Sequence, residues 1–461
     1  MSVYKPCDIR GPAEEMSGDL YRAWGRALGG RLPVGSAFVI GGDVRLSTPG
    51  FLAGLEAGLV ESGVAVENLG VAPTPMIYFE RRRSEAPGCA IVTASHSPAR
   101  MNGLKWMLGG QPPTEEDVQS LRREAEAGAG FFRAGGSARP VCADEAYAAW
   151  LRGAFGAGGA LKVVADPGSG CWAGRAARFL GEAFPEGRFT AIHDRPDGTF
   201  AERDPDCAHA DALKRLSQEV AAQGADLGVA FDGDGDRVAF VDDAGKPLSA
   251  EEATFVLIRS FGAQWPGRAF VRDIKFSRRM DEAAEALGGR AAVERSGHAF
   301  IRARMLAEKA LFGAEISGHY FFDELGGGDD GLYAACRMIA HVARSGRRLS
   351  ALRAQCPRVF MTRDLRLTPQ GESRAEALAR IRAAFADRPM SFVDGVKVEF
   401  EGGWALVRSS VTEASLTFRF EGDSEEGLAG VVAQFCGRIG AMGERLARQH
   451  AEAGRKTQGK R

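Results

Sequence analysis

No two of the eight cysteines stand in a C-x-x-C pair; they sit singly at 7, 89, 142, 171, 207, 336, 356 and 436. That scatter speaks against a zinc site or a disulfide framework and fits a chain kept in a reducing cytosol. Net charge is almost absent as well, with 59 Lys+Arg against 60 Asp+Glu. So balanced a chain does not attract nucleic acid or an anionic membrane through a global field. An anionic ligand must therefore be held by local basic groups. Long apolar runs are missing too. No uncharged stretch approaches the ~18 residues of a membrane span. The opening MSVYKPCDIRG lacks the apolar centre of a secretory signal. The expectation is a cytoplasmic protein with no nucleic-acid or membrane partner. The closing AEAGRKTQGKR is basic and aperiodic, and reads as a solvated tail.

Several catalytic motifs are also absent. None of Ser95, Ser169 and Ser317 lies in a G-x-S-x-G elbow. The Gly-Lys pairs are Gly245-Lys246-Pro247 and Gly459-Lys460-Arg461, and neither belongs to a Walker A loop.

What is present is an ordinary soluble composition, 45% hydrophobic and 26% charged, over 461 residues. That length exceeds one core and suits three or four domains. Ser17 caps a helix whose Leu20, Trp24 and Leu28 recur every fourth residue. AFVIGGD (37–43) reads as a buried strand. Thr48-Pro49 and Thr74-Pro75 each open a helix in N-cap and N1 style, and CAIVTAS (89–95) is the next strand. The alternation is that of an α/β protein with a largely parallel sheet. It recurs in LKVVADPG (161–168), a helix over 210–225 and LGVAF (227–231). It recurs again after the capping box Ser249-Ala-Glu-Glu252, through AFVRDI and LFGAEIS. Three segments thus deliver a strand into a polar loop, at Ser95, at Asp232 and at Glu315. After about residue 360 polar and apolar residues alternate, predicting antiparallel strands and then a long amphipathic helix from Ser424. The expected architecture is three related α/β mixed-sheet domains (1–150, 151–250, 251–360) and a smaller α+β domain (361–461), around a central cleft.

FDGDGDR (231–237) is the sharpest chemical feature. Asp232, Asp234 and Asp236 alternate with glycines that let the chain turn tightly, so three carboxylates can converge. Hard oxygen ligands in that number suit Mg²⁺, and without a cation their repulsion is costly. An EF-hand would need glycine and glutamate where Arg237 and Asp243 stand, so that reading fails. A polar hairpin turn remains the plain alternative. Mg²⁺ keeps open positions for phosphate, which suggests a phosphorylated ligand. Ser95, taken alone, is more readily a loop hydroxyl than a nucleophile. His96 is adjacent to it, and sequence neighbours rarely face each other as nucleophile and base.

Taken together, TASHSP (93–98), NGLKW (102–106), FDGDGDR, AEISGH (314–319) and RSSVTE (408–413) resemble the α-D-phosphohexomutase superfamily, most closely its bacterial phosphomannomutase/phosphoglucomutase branch. CDIRG (7–11), GGDVRLS (41–47), APTP (72–75), DPGSG (166–170), PDGTF (196–200), DIKFSRR (273–279), SGH (296–298) and GGGDDG (326–331) extend the likeness along the chain.

The resemblance implies a phosphate carried on Ser95, with one Mg²⁺ per chain held by Ser95, Asp232, Asp234 and Asp236. It implies reversible phosphoryl transfer between C1 and C6 of a mannose or glucose phosphate, through a hexose 1,6-bisphosphate. Arg10, Lys105, Arg237 and His298 match catalytic positions, with Lys105 a candidate for proton transfer and His298 and His319 its rivals. Glu315, Ser317 and His319 match the sugar loop, and Lys275 a further basic position. Arg408, Ser410 and Thr412 alternate, which suits a phosphate-binding loop. Partners are small hexose phosphates, and a monomer is expected. The chain departs from the family pattern at Ser97, Gly42, Cys7 and Ala314, which bears on substrate preference and rate. The rival readings are a phosphoglucosamine mutase, a non-catalytic sugar-phosphate binder and a generic Mg²⁺ phosphatase.

Overall fold

The computed structural model describes residues 2–128, 132–156, 159–410 and 414–458. Four sheets follow one another along the chain. In the first, the strand Ala37–Gly42 runs parallel to both Ala65–Val71 and Gly88–Val92, and Ser137–Pro140 joins in parallel at one edge. Met101–Leu108 then returns antiparallel against Gly88–Val92, and Ile9–Pro12 pairs antiparallel outside it. That return makes the sheet mixed. It also carries Lys105 back beside the strand that ends at the serine loop, opposite Ile91.

The second sheet orders Val238–Asp242, Leu227–Phe231, Lys162–Asp166 and Arg188–Ala191. Its one antiparallel pair flanks FDGDGDR, so the acidic loop is a hairpin turn as well as a carboxylate cluster. The third orders Arg290–Glu294, Ala269–Asp273, Phe312–Ala314, Tyr320–Phe322 and Gly328–Asp329, again mixed. The fourth is antiparallel throughout, built on Val396–Phe400, Gly403–Ser409 and Leu416–Gly422.

Local chemistry explains several boundaries. Ser17 accepts from the Leu20 amide, and Ser249 with Glu252 forms the expected capping box. Thr48 differs from expectation. It is the first helical residue and spends its hydroxyl on Asp43, so the helix Thr48–Glu61 begins without a side-chain cap. The helix expected over 210–225 forms over Lys214–Gln223. The long helix expected from Ser424 is two, Glu425–Arg438 and Ala441–Gln458, separated at Gly440 with φ +60°. Helical backbone therefore reaches Gln458, where a solvated tail was expected.

The first sheet has its own core around Tyr21, Trp24 and Leu28. The second and third share one, running from Trp172 and Phe231 to Phe312 and Tyr333. The helix Gly331–Ser345 is buried along most of its length and packs on Asp144–Phe155, Ala176–Ala183 and Ala250–Ser260. Apolar on several faces, it joins the two sheets as a single body. The fourth sheet docks on the third through Ile274, Trp404 and Leu406. Glu421 receives the Ser277 hydroxyl beside that contact, and Arg419 donates to the Lys275 carbonyl at 3.0 Å.

Candidate active site

Ser95 lies three residues past the end of the fully buried strand Gly88–Val92 and is itself 1% exposed. Its φ is +52°, a left-handed conformation that side chains other than glycine adopt only when their surroundings enforce it. The Ser95 amide donates to Thr93 Oγ1 at 2.8 Å, and its hydroxyl donates to Asp232 Oδ2 at 2.8 Å. The left-handed turn also brings His96 Nδ1 to 3.2 Å from Ser95 Oγ. The expectation that such neighbours do not face each other fails here, because it assumes an extended chain. The single hydroxyl proton still goes to the nearer carboxylate. His96 is held well below the ordinary histidine range by burial, and further by Arg237 and Arg10, so its ring is neutral.

Asp232, Asp234 and Asp236 are all buried, with ligand oxygens within 4.8 Å of one another. Asp232 Oδ1 accepts from the amides of Gly235 and Arg237, which closes the turn. Gly235 has φ +82°, and a Cβ there would meet Trp172 Nε1 at 2.3 Å. Burial, and then the charges of Asp234 and Asp236, push the Asp232 carboxyl up to about 8. Burial is the largest influence on Asp234 and Asp236 as well and pulls both upward, but Lys105, joined by the Thr74 hydroxyl at Asp234 and by His319 and Arg237 at Asp236, outweighs it and both stay below the usual range. Asp234 Oδ1 and Asp236 Oδ1 have no hydrogen-bond partner. Three converging carboxylates with two orphaned buried oxygens fit a hard divalent cation such as Mg²⁺.

Lys105 Nζ lies 2.8 Å from Asp234 and 2.7 Å from Asp236. Burial acts against its charge, but the two carboxylates outweigh burial and hold the ammonium well above its usual range. Lys105 is thus a counter-charge of the acidic loop. Arg237 donates from Nε to His319 Nε2 at 2.8 Å, and His319 Nδ1 is 2.6 Å from Asp329 Oδ2. The His319 and His298 rings lie 5.8 Å apart, and burial holds His298 below the ordinary histidine range. Backbone ties the sugar loop to the acidic loop: Val238 N donates to Gly318 O, and Arg237 bridges His319.

One cavity of about 250 Å³ is lined by seven of the predicted residues, Arg10, Ser95, Lys105, Arg237, His298, Glu315 and His319. Cys7 lines it too, its thiol pushed up to about 12 by burial and by Asp8, and so protonated. Glu315 Oε2 and Ser317 Oγ are buried without partners, as befits groups awaiting a polar ligand. Lys275, Ser317, Arg408 and Ser410 are not among the lining residues. Arg408 reaches the rim by donating to Ser296 Oγ at 2.7 Å, and Ser296 lines the cavity. Ser296 in turn bonds Asp273, which lies 3.6 Å from Lys275 Nζ. Ser410 belongs to the strand end, donating its amide to Ser415 O. Thr412 lies outside the described residues.

The sequence reading missed three contributors. Thr74 donates from Oγ1 to Asp234 at 2.7 Å, linking the first sheet's helix to the acidic loop. Asp329 pairs with His319. Arg45 holds the serine loop from behind. The motifs APTP, GGGDDG and GGDVRLS contain all three, but nothing local in those motifs says what each side chain touches. Gly42 leaves no room for a larger residue here, since a Cβ would stand 2.4 Å from Thr48 Cγ2.

Three α/β units and a fourth, antiparallel one, around a serine that faces a loop of three buried carboxylates, define a phosphohexomutase-class enzyme. The chain belongs to the phosphoglucomutase/phosphomannomutase family: its α/β/α domain I matches residues 3–129, domain II 152–245, domain III 250–360 and the C-terminal domain 366–438. It is 32% identical to the phosphomannomutase/phosphoglucomutase of Pseudomonas aeruginosa over 452 residues, 96% of this chain and 97% of that protein. It is 30% identical to a phosphoglucomutase of Neisseria gonorrhoeae over 446 residues, 94% of this chain and 95% of that one. Among solved structures, a phosphoglucomutase/phosphomannomutase family protein from Burkholderia thailandensis superposes with a TM-score of 0.86 at 29% identity, over 95% of this chain and 97% of the other.

Proposed function

We propose that the protein is a Mg²⁺-dependent phosphohexomutase that interconverts the 1- and 6-phosphates of mannose, glucose or both. The observation that carries this reading is the 2.8 Å hydrogen bond from Ser95 Oγ to Asp232 within a loop of three buried carboxylates. A binding protein has no use for a hydroxyl presented to a metal loop in a conformation that costs about 1–3 kcal/mol. A phosphatase would leave Glu315, Ser317 and Arg408 unexplained.

Phosphoryl transfer asks a protein chiefly for positioning and charge stabilisation. A divalent cation held by Asp232, Asp234, Asp236 and the phosphorylated Ser95 supplies part of that charge. Arg10, Lys105 and Arg237 supply the rest from the chain itself. The bond from Ser95 Oγ to phosphorus breaks as a bond from phosphorus to the sugar hydroxyl oxygen forms. The hydroxyl proton passes to the imidazole of His298, which lines the cavity and which burial holds below the ordinary histidine range. Its rival His319 is held above that range and has Arg237 and Asp329 on its two ring nitrogens. Glu315 and Ser317 accept and donate to ring hydroxyls, while Arg408, Ser410 and Thr412 grip the phosphate that is not moving. The 1,6-bisphosphate turns over within the cleft and returns its other phosphoryl to Ser95. In this reading each of four domains (1–150, 151–250, 251–360, 361–461) lends one loop, and the enzyme works as a monomer on small substrates in the cytosol. All eight cysteines are free, and no helix among the described residues is long and apolar enough to cross a membrane.

The test is a coupled assay on mannose 1-phosphate, glucose 1-phosphate and glucosamine 6-phosphate, with Mg²⁺ and a trace of the matching 1,6-bisphosphate. Turnover of the first two is expected. Turnover of the glucosamine phosphate alone would replace the substrate assignment, and no turnover of any would defeat the reading.

A further inference from the structure

We infer that Arg45 is the positioning residue of the phosphoryl carrier: it holds the Ser95 loop so that Oγ points at the acidic loop, and it touches neither substrate nor metal. The inference rests on the reading of Ser95 as that carrier.

Arg45 is 1% exposed, and its guanidinium is spent completely. Nε donates to Asp43 Oδ2 at 2.8 Å. Nη2 donates to the carbonyls of Ser95 at 2.7 Å and Ser97 at 2.5 Å. Nη1 donates to the carbonyls of Pro98 at 2.6 Å and Met101 at 3.1 Å. A guanidinium has five N–H donors, and these five bonds use them all. No donor remains for a phosphate or a sugar, which sets Arg45 apart from Arg10 and Arg237.

Its partner Asp43 extends the grip. Asp43 accepts from the Arg45 amide, from Thr48 Oγ1 and from Thr93 Oγ1, and Thr93 Oγ1 accepts the Ser95 amide. Ser95 is thereby held at both ends, its N–H through Thr93 and its C=O through Arg45. Those are the two peptide groups whose orientation sets its φ of +52°. The far side is held from the second sheet's unit. Phe200 lies 5.2 Å from the Arg45 guanidinium carbon, with a φ of +50° of its own. Arg45 thus stands where the serine loop meets the unit that carries the acidic loop.

A buried ion pair is a poor way to gain stability, since an apolar pair of equal volume does as well. A planar fork that collects four carbonyls from one turn is a good way to define a backbone conformation. A lysine has the charge but not the fork. The consequence falls on the chemical step, where misplacement by about 1 Å costs on the order of 100-fold in rate.

The test compares wild type, Arg45→Lys and Thr93→Val, each as full-length enzyme, for transfer of labelled phosphoryl from glucose 1,6-bisphosphate to Ser95 and for steady-state turnover. Mn²⁺ affinity is measured alongside. Arg45→Lys is expected to slow phosphorylation and kcat by about 100-fold, with KM for glucose 1-phosphate and Mn²⁺ affinity within about threefold, amounts too small to reflect a lost binding contact. Thr93→Val, which keeps the shape and cuts the other tether, should show the same split to a smaller degree, and it serves if Arg45→Lys fails to fold. Phosphorylation at the wild-type rate in either folded variant, or a loss confined to KM, would overturn the inference. A wild type that takes up no phosphoryl group would instead overturn the reading of Ser95.

Discussion

Ser95 and Asp232, 137 residues apart, meet as hydroxyl and carboxylate across 2.8 Å, and that contact closes the first two α/β units onto one reaction point. Everything proposed for the cleft depends on the carboxylates beneath it. Removal of divalent cations with a chelator should abolish turnover, and Mg²⁺ should restore it. Mg²⁺ should also raise the melting temperature, since a ligand at a hundred times its Kd adds about 2.7 kcal/mol to the folded state. Asp236→Asn should lose most of that shift. A chelated enzyme that keeps full activity would remove the metal from the account.

Arg408 connects the fourth domain to the cavity rim through Ser296 at 2.7 Å. If it also grips the stationary phosphate, Arg408→Met loses a charge-assisted contact worth about 1.5–3 kcal/mol. KM for the hexose phosphate should then rise roughly 10- to 100-fold, with a smaller effect on kcat. Steady-state kinetics with saturating bisphosphate separates the two. A pure kcat effect would place Arg408 in the chemistry instead.

Glu315 is buried with Oε2 unpaired, an arrangement that costs stability and serves a ligand. Glu315→Gln keeps the shape and removes the charge. It should lower kcat/KM by about 10-fold or more, while the melting temperature stays level or rises. Loss of activity accompanied by loss of stability would assign Glu315 to the fold.

Much of this was legible in the chain. Strand-and-turn alternation marked the α/β units, the capping residues marked helix starts, and Asp-Gly-Asp-Gly-Asp stood out because its three carboxylates lie within five residues. What stayed hidden was long range or conformational. Arg45 binds residues 50 to 56 positions away. Asp329 meets His319 only because the strand Tyr320–Phe322 pairs with Gly328–Asp329. The approach of His96 to Ser95 follows from a positive φ that no residue type announces in a serine. Lys105 matched a family position as a candidate for proton transfer, and the structure sets its ammonium against two carboxylates. The split at Gly440 was overlooked because hydrophobic spacing continues across it.

Asp330 gives a pH test away from the metal loop. It caps the helix Gly331–Ser345 by accepting the Tyr333 amide at 2.9 Å, and it accepts the Tyr147 hydroxyl at 2.7 Å. Burial is the largest influence on its carboxyl and pushes it up to about 6. A folded-state value above the unfolded one means that the protonated form is favoured in the fold. Stability contributed by Asp330 is then present below about pH 4 and lost as pH rises toward 6. Asp330→Asn keeps the cap and removes that slope. Denaturant unfolding from pH 4 to 7 should show the variant gaining on wild type by roughly 1–3 kcal/mol across that window. Parallel curves would contradict the assignment.

The central claim is that Ser95 carries the phosphoryl group, and intact and peptide mass spectrometry after incubation with glucose 1,6-bisphosphate and Mg²⁺ tests it most directly. One phosphoryl group is expected on Ser95, lost again on addition of unlabelled hexose monophosphate. Ser95→Ala should take up none and should lose mutase activity by at least about 1,000-fold, the scale expected when a covalent carrier is removed. A Ser95→Ala enzyme with full mutase activity, or a phosphoryl group resident on another side chain, would contradict the account.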